Sequence, residues 1–191
     1  MLHAIHPSLD WKADYAPEIL SVLKKPLRDG WSLPETLGAT PIRRALAYLI
    51  WFGRFPEEVG QNIANRLRLS HHLITAIHDV GHYFSRLPEL IDRSPSRIVS
   101  VLDEVSLPVL YVIYELSPSQ PLCNIVNQYV TRWRHVQPTV DGYALLSLGL
   151  EPGPAYRQIL WSLRAAWLDG KINSSDQETA LLQQMLQTFQ I

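Results

Sequence analysis

Apolar residues recur at three- and four-residue intervals along almost the whole chain, and prolines fall mainly where these runs begin or end. This spacing turns one face of each segment inward if the segment is an α-helix, and no segment alternates with the period of two that is typical of a half-buried strand. Proline is tolerated in the first turn of a helix and disrupts later turns. The sequence therefore predicts an all-α fold, an elongated multi-helix array of two helical subdomains.

Proline and capping residues predict where the helices begin and end. Helices are expected from Pro17 to before Pro26, after Thr40-Pro41 to Gly53, from Pro56, from Ser70 to about Arg86, after Ser94-Pro95, from Pro108, and from Pro121 to Pro138. Thr40 and Ser94 are interpreted as N-caps, and Ser175 with Glu178 as the capping box of a last helix. The proline-rich zone at residues 86–96 predicts a boundary between a body-like subdomain, 1–93, and a tail-like subdomain, 94–191.

Composition narrows the class of protein. The 191 residues are 47% hydrophobic with six tryptophans, which favours a packed globule. A net charge of -1 means that nucleic-acid binding would depend on local patches, although thirteen of the seventeen basic residues are arginine, which suits bidentate phosphate contacts. The single cysteine, Cys123, excludes an internal disulfide and a multi-cysteine zinc ribbon. No signal-peptide pattern or long apolar span is present, so we expect a cytoplasmic protein without a membrane partner.

Residues 141–170 form the most specific stretch of the chain: a short helix, a glycine stop, a Pro-Gly-Pro corner and a second amphipathic helix. Gly149 is suited to end the first helix in a left-handed conformation, and Pro154 to occupy the first position of the second. The backbone N–H groups of Ala155 to Arg157 would then be unpaired at a positive helix end, an arrangement that favours phosphate. This stretch predicts an anion site.

The same stretch resembles the C-terminal end of the class II tRNA nucleotidyltransferase and bacterial poly(A) polymerase family. The matching positions are Gly142, Leu145, Leu148, Gly149, Pro152, Gly153, Pro154, Ile159, Leu160, Leu163, Ala166, Leu168, Asp169 and Gly170. The stretch from Leu2 to Pro7 with Leu9 and Trp11, and the sequence Trp133-Arg134-His135-Val136, resemble further parts of the family. Residues 12–90 match mainly in their helical pattern.

The resemblance implies a helical body and tail that hold the acceptor and T arms of tRNA while a separate N-terminal head adds nucleotides. In the family, that head binds magnesium through two aspartates one residue apart after a Gly-Ser segment. This sequence contains no such arrangement and no Glu-Asp-x-x-Arg segment, so we expect no catalytic residue and no cofactor in this chain, magnesium belonging to a head absent from it. Whether the chain is a fragment or a detached module, and whether an enzyme containing it adds CCA, A or poly(A), stays open.

The residues predicted to contact RNA are Gly153, Ala155, Tyr156, Arg157, Arg132 and Arg134. The positive charge of Arg157 lies at the positive end of the helix dipole, which is unfavourable. Either a bound phosphate or an ion pair with Glu151 would offset this cost. Tyr156 would stack on a base or ribose, or pack against the neighbouring helix. Arg132 and Arg134 would extend a basic track, or form a solvated helix face.

Two other functions remain open on sequence grounds. Near-neutral charge is compatible with a helical protein-interaction module whose basic residues are incidental. His71, His78 and His82 are spaced to share one helical face, which would suit a His-rich metal-dependent hydrolase. Such hydrolases need further ligands from separate helices, and the sequence offers no evident partner segment, so we predict no metal ligand.

Overall fold

The fold is all-α, as the hydrophobic spacing predicts. A computed structural model describes residues 16–150 and 153–188. The helices are α1 (Ala16–Lys24), α2 (Ile42–Phe52), α3 (Glu57–Arg66), α4 (His71–Arg86), α5 (Pro95–Leu102), α6 (Leu107–Leu116), α7 (Gln120–Thr131), α8 (Gly142–Ser147), α9 (Pro154–Leu168) and α10 (Ser175–Thr188). The matching residues from Leu2 to Trp11 lie outside the described part, as do Pro152 and the predicted ion-pair partner Glu151. None of the described helices combines the length and hydropathy needed to cross a bilayer.

A short two-stranded ladder precedes α2 and corrects the predicted N-cap there. Strands β1 (Thr36–Leu37) and β2 (Thr40–Pro41) pair antiparallel, with Thr40 opposite Leu37. The turn between them contains Gly38, whose φ of +58° suits glycine. Thr40 is therefore a strand residue, and α2 begins at Ile42, whose N–H donates to Glu35 O at 2.9 Å. This backbone bond replaces the predicted side-chain cap.

The helix predicted from Pro121 to Pro138 ends earlier than expected. The α7 helix stops at Thr131, and Trp133–His135 form a separate 3-10 turn. The Thr131 hydroxyl donates to Asn127 O at 2.7 Å, a bond to the carbonyl one turn back that competes with the helical ladder. Arg134 thus lies in a turn and not on the solvated face of a helix.

The contacts divide the chain into two compact units. Unit 1 comprises the chain up to Ile91 together with Leu102–Thr131, and unit 2 comprises Asp92–Val101 and the chain from Arg132 onward. The division into subdomains after residue 93 stays a prediction.

Unit 1 has an apolar core in which α2 and α6 pack against α4. Leu49, Ile50 and Leu110 are fully buried there. Trp31 is also buried, and its ring makes edge contacts with Tyr111 and Tyr114 at centroid distances of 5.2 and 5.4 Å. The ordinary helical spacing of these apolar positions accounts for this core.

Unit 2 is built around α9, which packs against α8 and α10. Its apolar core consists of Leu145, Leu150, Tyr156, Ile159, Leu163 and Leu182. The predicted helix signals at its corners are confirmed: Gly149 has a φ of +85° after α8, and Pro154 is the first residue of α9. At the other end of α9, the Asp169 carboxylate accepts from the N–H and the hydroxyl of Ser96, each at 2.9 Å.

Candidate functional site

A cleft of about 480 Å³ lies in unit 2 beside α9, and we call it the α9 cleft. Its helical wall consists of Arg157, Leu160, Trp161 and Arg164, and its other wall of Gln137, Pro138, Val140, Asp141 and Gly142. The four α9 residues share one face because they are spaced by three and four positions. Two of them are arginines, so the cleft has a cationic side.

Arg164 fixes the chain that enters the opposite wall. Its Nε donates to Val136 O at 2.9 Å and its Nη2 to Arg134 O at 3.4 Å. The guanidinium carbon also lies 5.7 Å from the centre of the Trp161 ring. Because these bonds reach the main chain across 28 and 30 residues, they hold the segment after α7 against α9. The role of Arg164 in the cleft is therefore to position that wall.

Glu178 fixes the next part of the same wall. Its side chain is only 1% exposed. It accepts from Val140 N–H at 2.8 Å, from Thr139 N–H at 3.1 Å and from the Trp167 indole N–H at 2.7 Å. Bonds to a charged acceptor are stronger than neutral ones, so this carboxylate is a strong anchor. Together, Arg164 binds carbonyls and Glu178 binds N–H groups of the loop at 134–140.

This role of Glu178 corrects the predicted capping box. The residue before α10 is Ser174, whose Oγ accepts from Gln177 N–H at 3.3 Å. Glu178 thus lies one position too far along for a capping box and faces inward instead. The signal that would have revealed it is its place four residues before buried Leu182, on the apolar stripe of the helix.

The pKa of Glu178 reflects two opposing effects. Burial alone would raise it, but the hydrogen bonds from Val140, Trp167 and Thr139 hold the pKa below its ordinary value of 4.5. The carboxylate is thus charged at neutral pH. The loop of the cleft is fixed most firmly in that state.

Arg157 is the predicted RNA-contact residue whose side chain lines the α9 cleft. It is exposed, and among the described residues none forms an ion pair or hydrogen bond with its guanidinium. The amides nearby are not all unpaired as predicted, because Tyr156 N–H donates to Gly153 O at 3.1 Å. This bond to the third residue back closes a tight first turn. The Arg157 guanidinium, more than the backbone N–H groups at the start of α9, therefore makes this side of the cleft suited to an anion.

The other predicted residues lie elsewhere. Tyr156 is 9% exposed and its hydroxyl donates to Leu150 O at 2.9 Å, which favours packing over stacking on a base. Arg132 is exposed, whereas Arg134 is half-buried, and neither side chain lines the cleft. Gly153 and Ala155 precede the cleft-lining part of α9. Their contacts with RNA stay a prediction.

A second depression of about 410 Å³ adjoins the α9 cleft, and we call it the α8 depression. It is lined by Asp141, Gly142, Tyr143, Leu146 and Tyr156, so Asp141 and Gly142 form part of both. Its surface is predominantly apolar. Tyr143 is 83% exposed and Leu146 is 53% exposed. The cationic cleft therefore continues directly into an apolar, aromatic surface.

The histidines His78 and His82 of α4 lie beside Asp79 and Arg86 and are not arranged as metal ligands. The rings of His78 and His82 stack at 5.8 Å, His78 Nδ1 lies 3.2 Å from Asp79 Oδ1, and Arg86 Nη1 lies 2.9 Å from His82 Nε2. A guanidinium that donates to an imidazole nitrogen occupies the lone pair a metal would need. Within residues 16–150 and 153–188, no three His, Cys, Asp or Glu side chains are grouped to hold a metal ion.

Comparison with known proteins relates the chain to tRNA nucleotidyltransferases. It is 28% identical over 189 residues to the A-adding tRNA nucleotidyltransferase of Geobacter sulfurreducens. This similarity covers 93% of the chain and 21% of the length of that relative. No protein-family model and no solved structure matches the chain. The similarity agrees with the family resemblance of residues 141–170.

Proposed function

We propose that this chain is a tail-like, noncatalytic region of a tRNA nucleotidyltransferase or a related polymerase, and that it holds RNA, with tRNA as the principal partner. Nucleotide addition would belong to a head domain in cis. The similarity to an A-adding tRNA nucleotidyltransferase supports this family of functions. Among the described residues no three His, Cys, Asp or Glu side chains are grouped to hold a metal ion, and we assign no step of nucleotide transfer to them.

The observation that carries the proposal is the exposed Arg157 in a preformed cleft. Among the described residues none pairs with its guanidinium, and guanidinium matches phosphate oxygens in a bidentate geometry. Arg164 and Glu178 fix the opposite wall without a ligand, so little ordering would accompany binding. Because phosphate contacts carry no sequence information, binding should be insensitive to sequence.

The proposal is tested by measuring tRNA binding of the full chain over a range of salt concentrations. Affinity should fall steeply as salt rises. Arg157→Glu should weaken binding and reduce the salt slope by roughly one counterion. The same change should leave the fold intact or stabilise it by about 0.3–1 kcal/mol, because glutamate in the first turn of a helix is favoured by the dipole.

Arg44→Glu is the matched control, since Arg44 is an exposed arginine of α2 in unit 1 and lies outside the cleft lining. It should change tRNA affinity much less than Arg157→Glu. Equal losses in the two variants would show that general charge, and not the α9 cleft, attracts the RNA. Binding that does not respond to salt would contradict the proposal altogether.

A helical protein-interaction module is the second candidate, and the exposed apolar side chains of α8 favour it. Competition between folded tRNA and heparin separates the two functions. A preference for tRNA supports RNA binding. The interaction module is supported instead if the chain binds both polyanions equally and also captures a folded protein through the exposed apolar side chains of α8.

A further inference from the structure

The α8 depression presents an aromatic ring that the fold does not use. Tyr143 is 83% exposed, and no described residue makes a ring contact or a hydrogen bond with its side chain. Leu146 lies three positions along, on the same side of α8, and is 53% exposed. Large apolar side chains left in water beside one another mark a binding surface more often than a structural one.

The chemistry next to this surface indicates its ligand. Asp141 and Gly142 line both the α8 depression and the α9 cleft, so a ligand that crosses them meets Tyr143 on one side and Arg157 on the other. A cation beside an exposed aromatic ring is the combination that binds single-stranded nucleic acid, in which the phosphate pairs with the charge and the base stacks on the ring. An apolar protein segment would have no use for the cation.

The wall between the two sites leaves room for this ligand. A Cβ built on Gly142 meets no atom within 4 Å, so the space above this glycine is open. The Asp141 carboxylate would repel a phosphate, but its Oδ1 accepts from Ala144 N–H at 2.9 Å and so is directed toward the start of α8. The phosphate is thereby confined to the Arg157 side of the shared wall.

We propose that Tyr143 is a stacking platform for the base of an unpaired nucleotide, whose backbone passes over Gly142 and places a phosphate on Arg157. The inference rests on the proposed RNA-holding function and adds the class of nucleotide that the site takes. A base in a duplex is stacked on its neighbours, so the site selects a nucleotide in a loop, a bulge or a single-stranded end.

The test compares two fluorescent oligomers bound by the full chain: hexa-adenylate RNA and an oligomer of the same length and charge in which every nucleotide lacks its base. Tyr143→Ala should weaken binding of hexa-adenylate by about 5- to 150-fold, the loss expected for one base stack, and leave binding of the base-free oligomer unchanged. Tyr143→Phe should retain wild-type affinity because the ring is kept. Leu148→Ala is the control, since Leu148 is 53% exposed and does not line the depression.

Gly142→Ala tests the path of the backbone. The new methyl group meets open space in the folded protein, so the melting temperature should be kept or raised, while the affinity for hexa-adenylate should fall. Unchanged affinity in this variant would overturn the path over Gly142.

The remaining outcomes distinguish the stacking platform at Tyr143 from the proposed phosphate contact at Arg157. Equal binding of both oligomers by the wild type, or an equal loss of both in Tyr143→Ala, overturns the stacking platform. A base-dependent loss in Tyr143→Ala with no effect of Arg157→Glu retains the platform and removes the phosphate contact of the proposed function. Self-association of the wild type that Tyr143→Ala abolishes, without measurable oligomer binding, assigns the surface to protein and overturns the inference.

Discussion

The core of unit 1 and the loop at 134–140 in unit 2 are held in different ways. Apolar side chains such as Leu49 and Leu110 fill the first, and burial of their surface requires no specific partner. The second is held by hydrogen bonds from two charged side chains, Arg164 and Glu178. No apolar core fills the α9 cleft, and its wall depends on directional, charge-dependent contacts instead. The two regions should therefore respond differently to mutation and to acid.

The largest effect is expected in the apolar core. Leu110→Ala removes a fully buried side chain and should lower the free energy of unfolding by about 2–5 kcal/mol, through lost burial and a residual cavity. Denaturant unfolding followed by circular dichroism at pH 7 and at about pH 4, below the ordinary pKa of Glu178, measures this loss. It should be equal at the two pH values, and a strong pH dependence would contradict the contrast between the regions.

Glu178→Ala should lower the free energy of unfolding less than Leu110→Ala does, and its effect should be confined to the loop at 134–140. It leaves Val140 N–H, Thr139 N–H and the Trp167 indole without their acceptor, and the cost of such unsatisfied groups is about 1–3 kcal/mol. Hydrogen exchange should show faster exchange of the Thr139 and Val140 amides than in the wild type. Unchanged protection of both amides would mean that Glu178 does not anchor the loop.

The same carboxylate makes the loop sensitive to acid. Because the folded pKa of Glu178 is lowered, its stabilisation is present above the ordinary value of 4.5 and is lost as the pH falls through the folded pKa. The protection of Val140 N–H, corrected for intrinsic exchange, should therefore decline below about pH 4.5 in the wild type. Glu178→Gln, which has no charge to lose, should remove this dependence on pH over that range.

The smallest of these effects is expected at Arg164. Arg164→Lys keeps the positive charge, but the lysine ammonium can reach only one of the two carbonyl oxygens, of Val136 and Arg134, to which the guanidinium donates. The loss should be about 0.5–1.5 kcal/mol, the net value of one hydrogen bond. Arg157→Lys is the comparison on the same face of α9 and should leave stability within about 0.5 kcal/mol, because that side chain is exposed. Similar losses in the two variants would contradict the separate roles of the two arginines.

The sequence predicted features that depend on neighbouring residues. Gly149 and Pro154 were placed correctly because a positive φ after a helix and a proline at its first position are local requirements. The all-α class followed from spacing within each helix. The capping box at Ser175 was wrong by one residue, and α7 ended before the predicted stop at Pro138. Helix ends that differ by a few residues have about equal local energy, so tertiary contacts decide where each helix begins and ends.

The wall of the cleft was beyond sequence reasoning for a different reason. Glu178 bonds to Val140 across 38 residues and Arg164 to Val136 across 28, and no local pattern specifies these partners. Arg157 was singled out because a cation in the first turn of a helix opposes the dipole, and its contact with RNA stays a prediction. Tyr143 was not among the predicted contact residues, because its exposure of 83% depends on the tertiary fold and no local pattern indicates it.

The loop at 134–140 is held mainly through its backbone. Arg164 donates to the carbonyl oxygens of Val136 and Arg134, and the Val140 bond to Glu178 uses an N–H that every residue except proline possesses. The side chain of exposed Gln137 takes no part in these bonds and yet lines the cleft. The residue at position 137 can therefore be replaced without loss of these bonds, so the surface of the cleft can change while its wall is kept.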